Sequence, residues 1–183
     1  YFLTPAIHGA VDANRPSHRT ETELSESVRW LIDRGEPVDA GEYSGYWRDV
    51  GTVDDVLACN RYLLSTQDGH LAGDVDDASE LGPRVVVEAG ARVVRSRIDG
   101  PAIIGPGALV VDSHLGPDTS IGRGCVLRGA RLTGSVVLDA ARITGAPPLR
   151  DSIIGRGAAI GRDPREGGHR LLVADHARVD LAA

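Results

Sequence analysis

Between Arg84 and about Arg162, aliphatic residues recur every five or six positions. This interval matches neither the 3.6-residue period of an α-helix nor the two-residue period of a β-strand. It is typical of a hexapeptide β-solenoid, in which each short face of a coil points one aliphatic side chain inward. Three faces of six residues predict about 18 residues per coil and about four coils. The repeated residues are Ile98, Ile104, Val110, Leu115, Ile121, Leu127, Leu132, Leu138, Ile143, Leu149, Ile154 and Ile160.

The solenoid has consequences for stability and assembly. A single coil cannot bury its aliphatic side chains, whereas stacked coils bury them at a gain of roughly 1.5–3 kcal/mol each. The two ends of such a stack are unpaired strand edges, so capping or self-association is expected. Residues 163–183 break the repeat and are predicted to form a cap or tail, and we expect a homo-oligomer.

The first 66 residues have a mixed α/β pattern instead of the repeat. An apolar run at Tyr1 is typical of a strand, and Thr52, followed by acidic residues, is typical of a helix start. The polar segment 67–83 is predicted to be a linker to the solenoid at 84–162. Helices are predicted at 5–14, 23–34 and 52–66, with an extended segment at 37–46.

Charge and hydropathy exclude two classes of partner. A formal charge of −6 argues against nucleic acid, because phosphate binding needs a basic face. No apolar run approaches the roughly 20 residues of a membrane-spanning helix, and nothing resembles a signal peptide. We therefore expect a cytoplasmic protein without a membrane partner. Cys59 and Cys125 lie far apart in the sequence and are predicted to be small apolar residues, not a disulfide or metal site.

The densest group of chemically useful residues lies between Gly45 and Thr52. Asp49 stands between an aromatic residue and a Gly-Thr turn, which suits a divalent cation, because Mg²⁺ prefers carboxylate and substrate-phosphate oxygens. Trp47 has an apolar face on which a sugar ring could lie. An equally good interpretation is that Asp49 caps the following helix while Trp47 belongs to the core. The residues alone leave both interpretations open.

The segment from Tyr46 to Thr52 resembles the late catalytic motif of sugar-1-phosphate nucleotidylyltransferases. Read together with the repeat, it is similar to the long, solenoid-bearing glucose-1-phosphate thymidylyltransferases. Stretches at 2–8, 21–35 and 169–179 are also similar to that family and extend the resemblance over essentially the whole chain. The resemblance implies a mixed fold, in which the C-terminal portion of an α/β nucleotidyltransferase domain precedes a left-handed parallel β-helix.

The resemblance also implies site residues and a reaction. Asp49 would bind Mg²⁺, while Trp47, Ser25 and Tyr1 would contact the glucose unit. The implied reaction is attack of a glucose-1-phosphate oxygen on the α-phosphate of dTTP, which gives dTDP-glucose and pyrophosphate. The implied partners are therefore small-molecule substrates, glucose-1-phosphate and a nucleoside triphosphate.

Several features depart from the family pattern. Its Gly-rich nucleotide loop, phosphate-binding lysine and first metal-binding aspartate belong before Tyr1, and the sequence contains no lysine. We therefore expect the chain alone to be inactive. Thr20 and Thr22 replace the Gly and Leu of a family stretch. The string from Tyr46 to Thr52 is closer to glucose-1-phosphate adenylyltransferases, which are an alternative.

Two alternatives belong to other classes of protein. Hexapeptide solenoids also occur in acyltransferases, where a histidine at a coil edge acts as general base, and His114 could take that role. The chain could instead be a non-catalytic assembly module whose solenoid pairs subunits. Dependence on acyl-CoA would identify the first alternative, and self-association without turnover the second.

Overall fold

A computed structural model describes residues 1–14 and 23–161 of the chain. These residues form two compact units, which divide between Trp47 and Arg48. Thr20 and Thr22 lie outside the described residues, as does the predicted cap at 163–183. None of the described helices is long and apolar enough to cross a membrane.

The first unit contains two packed helices, α1 (Ala6–Ala13) and α2 (Leu24–Asp33), close to the predicted ranges. The Asn14 side-chain amide donates a hydrogen bond to Ser27 Oγ at 2.9 Å across the pair. The strand predicted at Tyr1 is wrong: the residue is 89% exposed and lies in neither helix nor strand. A strand needs a hydrogen-bonded neighbour, and every strand among the described residues belongs to the second unit.

The second unit begins with helix α3 (Val53–Ser65), as the sequence predicts from Thr52 onward. The Asn60 amide donates to the Asp118 carbonyl at 2.9 Å, and Ser120 Oγ donates to Asn60 Oδ1 at 2.6 Å. These bonds fasten α3 to the side of the β-structure that follows. The domain boundary predicted after residue 66 therefore lies too late, because α3 belongs to the second unit.

Short strands follow α3, and each pairs in parallel with the strand one coil away. They form three sheets of six, six and five strands, which confirms the predicted parallel β-helix. The first sheet holds β1, β4, β7, β10, β13 and β16; the second holds β2, β5, β8, β11, β14 and β17; the third holds β3, β6, β9, β12 and β15. The strands are β1 His70–Leu71, β2 Asp74–Val75, β3 Glu80–Leu81, β4 Val85–Val87, β5 Arg92–Val94, β6 Arg97–Ile98, β7 Ala102–Ile104, β8 Leu109–Val111, β9 His114–Leu115, β10 Thr119–Ile121, β11 Val126–Arg128, β12 Arg131–Thr133, β13 Val136–Val137, β14 Arg142–Thr144, β15 Leu149–Arg150, β16 Ile153–Ile154 and β17 Ala159–Gly161.

The length of a coil differs slightly from the prediction. Ile98 pairs with Leu115, and Leu115 pairs with Leu132, so partners in the third sheet are 17 residues apart, not 18. In a coil of 17 residues, one of the three faces spans five residues, as the five-residue steps in the repeat indicate. This register decides which outward-facing side chains stand above one another.

The segment 67–83 is not a linker. Its strands β1, β2 and β3 pair with β4, β5 and β6, so it forms the first coil of the solenoid. Val75 and Leu81 pack against the core from this coil. The prediction failed because most side chains of the segment are polar, and its large apolar residues, Leu71, Val75 and Leu81, are too few to show the repeat.

Aliphatic side chains from all three sheets fill the centre of the solenoid. The repeat identifies most of this core, but it places Leu138 inward, where the structure places Val137. Val137 is 1% exposed and pairs with Ile121 and Ile154, whereas Leu138 is 42% exposed. Fully buried core residues include Val87, Val93, Ile98, Ile104, Val110, Leu115, Leu127, Leu132 and Ile143.

Cys125 is a free thiol inside this core, and Cys59 is a half-buried free thiol on α3. Burial raises the pKa of the Cys125 thiol above its ordinary value, so the neutral form is favoured. The prediction that Cys125 serves as a small apolar residue is consistent with this environment.

Buried serines link successive coils between the second and third sheets. Ser113 Oγ donates to the Val111 carbonyl at 2.7 Å and accepts the backbone N–H of Ala130 at 3.1 Å. Ser96 makes the same two bonds one coil earlier, accepting from the N–H of Ser113. Each hydroxyl therefore satisfies a buried backbone donor of the next coil.

Ser113→Ala is expected to lower the free energy of unfolding by about 1–3 kcal/mol, because the buried N–H of Ala130 loses its acceptor. Urea denaturation followed by circular dichroism measures the change. Ser152→Ala is the matched control: Ser152 is half-buried, and its Oγ donates to the Arg150 carbonyl without accepting from another described residue. Equal losses in the two variants would contradict the role of Ser113 as an acceptor.

Candidate functional site

The segment that carries the motif leads directly into helix α3. Thr52 caps the helix, because its Oγ accepts the backbone N–H of Asp55 at 3.2 Å while Asp55 Oδ2 accepts that of Thr52 at 3.1 Å. This reciprocal arrangement satisfies two backbone donors that a helix start otherwise leaves unpaired. The cap is therefore made by Thr52 and Asp55, and not by Asp49.

Arg48 is fixed to the same helix start. Its Nε and Nη2 donate to Asp55 Oδ1 at 3.3 and 3.0 Å. The hydrogen bond from Thr52, followed by those from Arg48, holds the pKa of Asp55 below its ordinary value. Asp55 is thus charged at neutral pH, and the stabilisation from its bonds is lost only as pH falls through this lowered pKa. Arg48, the residue before Asp49, is therefore bonded to the start of α3 through its side chain.

The predicted site residues divide between the two units. Tyr1, Ser25 and Trp47 belong to the first unit, and Asp49 belongs to the second. Trp47 is 78% exposed, so among the described residues it is not a core residue. Ser25 is exposed and its Oγ lies 3.4 Å from Glu23 Oε2. The grouping of these four residues into one site stays a prediction.

Asp49 is an exposed carboxylate without a hydrogen bond or ion pair to another described residue. Within residues 1–14 and 23–161, no group of three or more His, Cys, Asp or Glu side chains is arranged to hold a metal ion. A single carboxylate still suits Mg²⁺, which is commonly bound through one or two carboxylates together with water and substrate phosphates. The chemistry of Asp49 therefore fits the predicted ligand role.

A second group of polar side chains lies on the outer face of the third sheet. It lines a groove of about 620 Å³, which we call the third-sheet groove. Sequence reasoning singled out His114 but missed the groove around it. The available signal was a polar residue directly before an inward aliphatic in successive coils. The side chains of the groove used below are Glu80, Arg95, Arg97, Asp112, His114 and Arg131.

Ion pairs organise one end of this groove. Arg95 donates two hydrogen bonds to Asp112, at 2.7 and 2.9 Å. His114 Nε2 lies 2.7 Å from Asp99 Oδ2, and Arg97 Nε donates to the other oxygen of Asp99 at 2.9 Å. The bond from His114, followed by that from Arg97, lowers the pKa of Asp99 below its ordinary value. Asp99 is therefore a carboxylate at neutral pH and orients the His114 ring.

Sequence comparison finds relatives that match the whole chain. No protein-family model matches it. Two curated proteins named glucose-1-phosphate thymidylyltransferase, from Streptomyces griseus and Streptomyces antibioticus, are each 41% identical to it, over 184 and 182 residues. The alignments cover 100% and 99% of this chain but 52% and 51% of the two relatives. The chain thus spans about half the length of the curated relatives it matches.

Structural comparison finds weaker likenesses. The acetyltransferase domain of PglB from Neisseria gonorrhoeae is 20% identical, with a TM-score of 0.28. That match covers 57% of this chain and 56% of the other. A likeness of this size supports no conclusion about function.

Proposed function

This chain is homologous over its whole length to part of the glucose-1-phosphate thymidylyltransferases, and from that premise we propose that it belongs to an enzyme of that activity. In the proposed reaction, an oxygen of glucose-1-phosphate attacks the α-phosphorus of dTTP. The bond from the α-phosphorus to the bridging oxygen breaks, and pyrophosphate leaves with dTDP-glucose as the second product. The observation that carries the proposal is 41% identity along the complete chain.

That coverage favours the proposal over the alternatives. The alignment with the Streptomyces griseus protein takes in both the helical residues 1–66 and the solenoid, not the repeat alone. An acyltransferase or a non-catalytic assembly module would need the solenoid, but neither alternative gives residues 1–66 a role. The orientation of His114 by Asp99 is compatible with a general base, but it gives the acyltransferase alternative no substrate.

We assign roles within the proposed reaction to the exposed residues of the motif. Trp47 offers an uncovered indole face to the glucose ring, and Ser25 and Tyr1 offer hydroxyls to the same sugar. Asp49 would hold Mg²⁺, which when bound would neutralise charge on the triphosphate. Arg48, the residue before Asp49, is bonded through its side chain to Asp55 at the start of α3.

A chimera tests the proposal. The matched half of the Streptomyces griseus relative is replaced by residues 1–183, and formation of dTDP-glucose from dTTP and glucose-1-phosphate is measured with Mg²⁺ present. We expect turnover with dTTP in the chimera and none with the 183-residue chain alone. A chimera that folds but forms no dTDP-glucose would contradict the proposal. Consumption of acetyl-CoA would favour the acyltransferase, and self-association without turnover the assembly module.

A further inference from the structure

The third-sheet groove is separate from the residues assigned to the proposed reaction. It is built entirely within the solenoid, and Tyr1, Ser25, Trp47 and Asp49 do not line it.

The parallel register stacks the polar side chains of the groove. Arg97 on β6 pairs with His114 on β9, and His114 pairs with Arg131 on β12. Neighbouring strands are about 4.8 Å apart, so side chains at matching positions stand directly above one another on the same face. Arg97 and Arg131 therefore flank His114, one coil to each side.

The two flanking arginines differ in their partners. Arg97 is paired with Asp99 at 2.9 Å and lies 3.6 Å from Glu80. Arg95, at the neighbouring corner, is paired with Asp112. Arg131 is exposed and makes no ion pair or side-chain hydrogen bond with another described residue. At one end of the groove, the charges of Arg95 and Arg97 are neutralised by their ion pairs. At the other end, the guanidinium of Arg131 is exposed and has no acidic partner among the described residues.

The imidazole beside Arg131 has a free position as well. His114 uses Nε2 toward Asp99, and its Nδ1 makes no hydrogen bond within the described part of the chain. Asp99 also accepts a hydrogen bond from Arg97, so the carboxylate that orients the His114 ring is itself held in place. Arg131, on the strand paired with that of His114, offers the planar N–H donors of its guanidinium beside this ring.

We propose that the third-sheet groove binds a phosphate-bearing small molecule, with an anionic oxygen group held by Arg131 beside His114. Guanidinium groups bind phosphate through two parallel hydrogen bonds, which makes Arg131 the main contact. Arg95 and Arg97 line the groove while they stay paired with Asp112 and Asp99. We expect a diphosphate to bind more tightly than a single oxyanion, because it is long enough to contact side chains of more than one coil.

Titration of the 183-residue chain with sulfate and with pyrophosphate, in the absence of Mg²⁺, tests the proposal. Calorimetry measures affinity, and NMR signals of the histidine rings, assigned with His114→Gln, locate the site. We expect saturable shifts of the His114 signals, with pyrophosphate binding more tightly than sulfate. Arg131→Gln is expected to weaken binding about tenfold or more, because one charge-assisted contact is lost. Glucose-1-phosphate as a third titrant distinguishes a sugar phosphate from a free phosphate as the source.

Arg142→Gln is the matched control, since Arg142 is an exposed arginine on β14 of the second sheet, outside the groove. It is expected to leave the affinity unchanged. Equal weakening by Arg131→Gln and Arg142→Gln would mean general attraction of anions to positive charge and would overturn the proposal. Absence of saturable shifts at His114 in the folded wild-type chain would overturn it as well.

Discussion

Replacing Leu115 with alanine is expected to lower the free energy of unfolding by about 2–5 kcal/mol. Leu115 is fully buried and stands between Ile98 and Leu132 in the third sheet. Those neighbours are held in place by parallel strand pairing, so they cannot move to fill the cavity left by the missing side chain. Urea denaturation of the chain, followed by far-ultraviolet circular dichroism, measures the loss.

Leu138→Ala is the matched control for this prediction. It removes the same atoms from a position that the repeat assigns to the core but the structure leaves 42% exposed. We expect a loss below about 1 kcal/mol, as for partly exposed side chains away from the core. Similar losses for the two leucines would mean that Leu138, and not Val137, points inward.

The repeat predicts the solenoid well because each face must supply an inward aliphatic. An aliphatic residue is therefore needed every five or six positions, and the sequence has one at this interval through several coils. The prediction fails where the signal is sparse. In 67–83, the large apolar residues are Leu71, Val75 and Leu81, and near Leu138 two adjacent aliphatic residues could each fill the same inward position. Val137 takes the inward position because the coil from Ser120 to Val136 is one residue shorter than its neighbours.

The candidate residues are harder to predict than the fold. Asp49 and Trp47 are two residues apart in the sequence, yet they belong to different compact units, so sequence proximity does not define their geometry. The Thr52–Asp55 cap, by contrast, is local and follows from the spacing of its two residues.

The third-sheet groove depends on the exact length of a coil. At 18 residues per coil, Arg97 would be aligned with Leu115 and Thr133 of the next two coils, and no polar row would form. At the observed 17, it is aligned with His114 of the next coil and Arg131 of the coil after that. An error of one residue in the coil length therefore hides the whole groove, although every side chain in it is visible in the sequence.

Asp49→Ala, introduced into the chimera described above, is expected to reduce Mg²⁺-dependent turnover on the order of 10³-fold, because loss of a metal contact removes several kcal/mol of transition-state stabilisation. Initial rates over a range of Mg²⁺ concentrations measure the effect. The circular dichroism spectrum and the unfolding midpoint are expected to stay unchanged, since Asp49 is exposed and makes no bond to another described residue.

Asp54→Ala is the control, since Asp54 is also an exposed acid near the motif and lies in the first turn of α3. It is expected to keep a rate close to that of the parent chimera. A comparable fall in both variants would indicate a general effect of negative charge, and a near-normal rate for Asp49→Ala would exclude the ligand role. Because Asp49 contributes neither to the helix cap nor to the core, a loss confined to its variant would be a loss of chemistry and not of folding.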